Sequence, residues 1–289
     1  MFYLCTGIVL SSLFLKIFFF NITDLSVALH KLCLSHSPDG PYKIFYQALA
    51  CGQKPQTNSD ILLLKQLGII HILVVSGFHI LMLNKVLHFL LRGPYLIFLK
   101  PLFLFIFVMT CQFQLPVVRA WIQSLLVHIN RKWNLQIPKP FLLFLSILSS
   151  LIISFESYRS LSLPMSWVAC LGIQFGRNNW SQSLYSYLLM LPIISSFAVL
   201  SPLTVVINSL FAPLIGLILF PLSLLSFFIS GLSFYVDKIW FLFLWAGKEV
   251  APLLTNPEPH PLLPHHTLNW LYPFLMNMLL IHFWKRAVQ

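Results

Sequence analysis

The stretch KQLGIIHILVVSGFHILMLNKVLHFLLR, residues 65–92, is apolar enough to enter a bilayer, yet His71, Ser76 and His79 lie inside it. Polar side chains within a membrane span are costly and tend to face a bundle interior or a wet cavity. Upstream, Thr57-Asn58-Ser59-Asp60 supplies N-cap chemistry, so a helix is expected to start there and run towards Arg92, where Gly93-Pro94 ends it. On one helix at about 100° per residue, Lys65, Gly68, Ser76 and His79 form a stripe about 80° wide, with His71 beside it. Leu, Ile and Val fill the opposite side. Gly68 and the Ser76-Gly77 step allow close backbone approach, and a break at Ser76-Gly77 is expected from the mid-helix glycine.

The rest of the chain has the same character. Of 289 residues 58% are hydrophobic and 9% charged, against about 25% charged in soluble domains. Residues 178–236 contain no Asp, Glu, Lys or Arg, a run longer than the ~20 apolar residues of one span. The expected fold is all-α: a polytopic transmembrane helical bundle of roughly eight spans, some kinked or discontinuous, with interruptions at Pro213 and Pro221. An outer-membrane barrel is excluded, because the apolar runs do not alternate. Residues 1–44 read as an N-terminal span followed by an amphipathic surface segment, and Tyr42–Leu49 as a short interfacial helix. Residues 232–289 read as an amphipathic helix, a Pro/His-rich loop and a last span.

Charge and cysteine usage carry less. Eighteen basic residues stand against seven acidic, a net +11. This follows from the positive-inside rule, which places the Arg131-Lys132…Lys139 loop in the cytoplasm, and it also suits a polyanionic substrate. Cys5, Cys33, Cys51, Cys111 and Cys170 have no metal-ligand or redox spacing and read as small apolar packing residues. No metal site and no cofactor is expected.

Several segments now carry a family resemblance. Ala48-Leu49-Ala50-Cys51-Gly52-Gln53, followed by Gly68, His71, Ser76, Gly77 and His79 in Gly-x-x-His-x-x-x-x-Ser-Gly-x-His spacing, resembles the signature of the ComEC-type competence proteins. Pro116-Val117-Val118-Arg119-Ala120 is similar to that family's Arg-Ala helix start, and Ser166–Ile173 to its Leu-Ser-Phe…Gly-Ile helix. Asn208 and Pro213, with Pro221-Leu222, resemble its Asn-Leu…Pro-Leu element, so that residues 45–231 form a ComEC-like membrane domain. Pro164 departs from the family's Gln. Full-length members often carry an OB-like and a metallo-β-lactamase-like soluble domain. Neither pattern is recognisable here, and the expectation is the membrane core alone.

The resemblance implies a multi-pass protein of the bacterial inner membrane that passes single-stranded DNA into the cytoplasm during natural transformation. It implies conduction rather than enzymatic chemistry. His71, Ser76, Gly77, His79, Lys65 and Arg119 are the candidate path or gate residues, and Gly68, Asn208 and Pro213 the structural ones. No Gly-x-x-x-x-Gly-Lys-Ser/Thr motif is present. An ATP-driven cytoplasmic motor and a periplasmic DNA receptor are therefore implied partners, beside the DNA and the lipid bilayer, and a homodimer is left open. The bland readings are a histidine bonded to a neighbouring helix's carbonyl and, for Arg119, an arginine snorkelling to the interface. The competing functions are a small-molecule transporter or a non-conducting membrane subunit. A Ser76–His79 intramembrane hydrolase is a third, weakened by the absence of an orienting acid in the span.

Overall fold

The computed structural model describes residues 7, 10–14, 17, 22–73, 77–90, 99–153, 161–176, 178–194, 203–229, 231–254 and 266–288. Ser76, Arg159 and Arg177 lie outside these, as do the Gly93-Pro94 step and residues 255–265. The described residues are helical, with no strand. In chain order the helices are α1 Thr23–Ser35, α2 Lys43–Tyr46, α3 Ser59–Gln66, α4 Ile70–Leu73, α5 Gly77–Leu90, α6 Leu99–Thr110 and α7 Leu115–Lys132. There follow α8 Lys139–Ile153, α9 Ser162–Phe175, α10 Asn179–Ile194, α11 Leu203–Pro213, α12 Phe220–Leu225, α13 Leu232–Val250 and α14 His266–Val288. Two compact units are present: one of Asp24–Val117 and Ala198–Pro259, the other of Met1–Thr23, Val118–Phe197 and His260–Gln289.

The single helix expected from Asp60 to Arg92 is not what forms. Its start is as read: the Asn58 side chain accepts from the Ile61 N–H at 2.8 Å. The helix then stops at Gln66, because Gly68 adopts φ +72°, a left-handed conformation. The Ile69 N–H bonds the Leu64 carbonyl at 3.0 Å and the Gly68 N–H the Lys65 carbonyl at 3.0 Å. This pair of bonds closes a Schellman end, and Leu64 and Ile69 bury completely beside it. The polar stripe across residues 65–79 therefore does not exist as one helix face.

Prolines produce a different irregularity. The helical run passes through Pro213 and Pro221 without stopping, with Leu214–Leu219 in π geometry. Proline lacks the N–H that the Ser209 carbonyl would take, and the wider π turn absorbs the missing bond. Val206–Leu225 is the one helix among the described residues long and apolar enough to cross a membrane. Leu99–Thr110, Lys139–Ile153, Ser162–Phe175 and Trp270–His282 are apolar but shorter. Residues at positive φ follow the first of these, at Gln112 and Phe113, and precede the second, at Asn134 and Gln136.

Two further expectations are corrected. Cys33 and Cys51 form a disulfide, with Cα atoms 5.8 Å apart, rather than serving as separate packing residues. Eighteen residues separate them, and only the docking of α1 on residues 47–51 brings them together. Tyr42–Leu49 is not an interfacial helix either: Phe45, Tyr46 and Leu49 are fully buried, and residues 47–51 continue α2 as a second π segment. Its Tyr46 hydroxyl lies 2.8 Å from Asp237 Oδ1 on α13, whose carboxyl burial holds above its ordinary range, partly offset by that hydroxyl.

In the other unit α9 and α10 lie almost backbone to backbone. A Cβ on Gly172 would stand 2.3 Å from Ser186 Cα and 2.4 Å from its N. The Ser186 hydroxyl bonds the Ala169 carbonyl at 3.0 Å across the same contact. Gly172→Ala must push the two helices apart. The expected loss is about 1–3 kcal/mol, read as a lowered unfolding midpoint in detergent.

Candidate functional site

His79 sits in an aromatic nest. It is fully buried on the first turn of α5, its ring edge-on to Phe220 with centroids 4.6 Å apart. Phe220 also meets Phe107 at 6.1 Å, and Phe78 borders His79 at 6.3 Å. Both π segments converge here. Residues 47–51 lie against α12, and residues 214–219 against α4 and α5. Gly216 is indispensable to this approach, since a Cβ there would come within 1.8 Å of Phe78 Cε1. Gly77 is buried at the start of α5, and Asn208 is half-buried on α11. His71 lies on α4, with its side chain outside the described set. Lys65 is exposed on the last turn of α3, where a cation complements the helix C-terminus. It shares no face with the buried His79.

Arg119 occupies a second place, at the start of the second turn of α7. It is only 3% exposed, so it does not snorkel to an interface. Its NH2 donates to Ser166 Oγ at 2.7 Å, and NH1 donates to Cys170 Sγ at 3.1 Å and to Gln123 Oε1. Ser166 and Cys170 are one turn apart on α9, and Gln123 is one turn along α7. Nε has no partner, and every partner of the guanidinium is neutral. The unit that holds it contains nine Lys and Arg but a single acid, Glu156, which is outside the described residues. Among the described residues no carboxylate pairs with Arg119.

A third cluster had no counterpart in the sequence reading. His30 Nδ1 lies 2.9 Å from the Thr110 carbonyl and 3.1 Å from the Cys51 carbonyl. Both partners are acceptors, so Nδ1 carries the proton and donates. Nε2 faces Gln53 Oε1 at 3.1 Å, Ser26 Oγ donates to the Met109 carbonyl at 2.7 Å, and Gln114 Nε2 donates to the Gly52 carbonyl. Gly52 has φ +73°, and a Cβ there would lie 3.0 Å from Cys111 Cβ. The Ala-Cys-Gly-Gln segment is thus a brace between α1 and the end of α6. The only sequence signal was the run of Cys51, Gly52 and Gln53 itself.

Residues 49–285 match the family described as Competence protein. The chain belongs to that family. The match contains all three clusters apart from Ser26 and His30, and extends beyond residue 231 into α14. Membership makes this a membrane protein related to competence and DNA uptake. No curated protein and no solved structure matches the chain.

The aromatic nest makes a stability prediction within this Competence protein. Phe220 is 1% exposed and Phe228 is 85% exposed. Phe220→Ala should lower unfolding stability by about 3–5 kcal/mol, and Phe228→Ala by no more than about 0.5 kcal/mol, compared by denaturant titration in detergent.

Proposed function

We propose that the chain is a DNA-conducting channel of the bacterial cytoplasmic membrane, passing a single strand inward during transformation. Arg119 carries the reading: a buried guanidinium with neutral partners and an unused Nε. A phosphate arriving there gains charge-assisted hydrogen bonds in a low-dielectric setting. It displaces only neutral acceptors, so it can leave again, as conduction requires. His79 in its aromatic nest acts as part of a closed gate, with His71 on α4 before it, and Ser76 joins them by its place in the sequence motif. Helix breaks are where membrane transporters place their sites. The bundle has roughly eight spans, several of them built from short helices in series. The protein performs no bond-making chemistry, and a motor and an external DNA receptor drive and feed it.

The disulfide supports an orientation for its own unit: such bonds persist outside the cytoplasm, and Cys51 is lashed through His30 to the Thr110 end of α6. By the positive-inside rule the Arg131-Lys132 end of α7 lies in the cytoplasm. Alkylation of unreduced protein should leave Cys33 and Cys51 unlabelled, and a reporter fused after Trp133 should be active only as a cytoplasmic enzyme. The reverse pattern overturns this orientation.

Arg119→Gln should reduce internalised DNA by about 10- to 100-fold, the loss of a charged hydrogen-bonding group worth about 1.5–3 kcal/mol. DNA bound at the cell surface and protein in the membrane should be unchanged, and Arg119→Lys should be milder. Normal internalisation in Arg119→Gln cells removes the channel reading. Loss of a small solute's uptake with intact transformation establishes a transporter instead.

A further inference from the structure

Cys170 has no task in conduction, yet it is placed where it can control Arg119. It is a free thiol on α9, partly exposed, with its sulfur 3.1 Å from Arg119 NH1. Arg119 is 3% exposed, and among the described residues its Nε has no hydrogen-bond partner. Its other partners, Ser166 and Gln123, stay neutral at any physiological pH. Among the described residues that touch Arg119, Cys170 is the one whose side chain an oxidant converts to an oxygen acid. A fixed cation stabilises negative charge on an oxygen added to a neighbouring sulfur. Cys111 provides a contrast in the same chain: a free thiol that is fully buried.

We propose that Cys170 is an oxidant-modified site that closes the Arg119 subsite. The oxidant is a peroxide. The sulfur attacks one peroxide oxygen, the O–O bond breaks and an S–O bond forms. The second oxygen takes up the thiol proton and leaves as water. Sulfur loses two electrons and the peroxide gains them, giving a sulfenic acid that thiols can reduce again. The added oxygen lies within reach of Arg119 NH1 and takes the donor that a phosphate would use. The closing effect rests on the proposed phosphate contact of Arg119, whereas the modification itself does not.

The test uses the full chain in membrane vesicles, exposed to hydrogen peroxide and trapped with dimedone, with peptide mass spectrometry as the readout. Cys170 should carry at least five-fold more adduct than Cys111. The adduct should fall several-fold in Arg119→Gln and persist in Arg119→Lys. Equal labelling of Cys170 and Cys111, or undiminished labelling in Arg119→Gln, overturns the proposal. In cells, peroxide should reduce DNA internalisation by wild type and not by Cys170→Ser. Labelling as expected with peroxide-insensitive internalisation overturns the closure and the phosphate contact together, and upholds the modification.

Discussion

Every backbone carbonyl freed at a helix end must find a donor, and in an apolar setting water cannot supply it. This chain answers the requirement with a small set of side chains. Ser26 and His30 cover the Met109 and Thr110 carbonyls at the end of α6. Gln114 covers Gly52 and Gln66 covers Ala251, while inside α10 the Tyr272 hydroxyl donates to the Leu189 carbonyl. At Gly68 the backbone does the work itself, through the paired bonds of the Schellman end. The C-terminal end of α6, a helix of 12 residues, is sealed by Ser26 and His30.

The same requirement separates the two sites. Around His79 the rings of Phe78 and Phe220 stand edge-on to the imidazole. Arg119 is also buried, and among the described residues no carboxylate pairs with it. Removing a cation from water costs several kcal/mol even after relaxation. The excess of basic over acidic residues in that unit reinforces the field rather than cancelling it. A polyanion is the ligand such a field suits, and family membership supplies the context of DNA uptake.

The sequence by itself determined the helical class, because a chain with 9% charge cannot cover a soluble surface. It also determined the Asn58 cap, the start of α7 around Pro116 and the family, all of which rest on residues a few positions apart. Gly68 carried the signal of a helix stop. The apolar run on either side concealed it, because hydropathy registers burial and not backbone conformation. Only the tertiary structure decided what lies far apart in sequence. Arg119 is 47 residues from Ser166 and 51 from Cys170, and His30 is 80 from Thr110. Helical periodicity describes a face over a few turns and is silent on which face it meets. The Cys33–Cys51 bond, the nest around His79 and the neutral cage of Arg119 all arise at such meetings, where packing of distant helices fixes the partner.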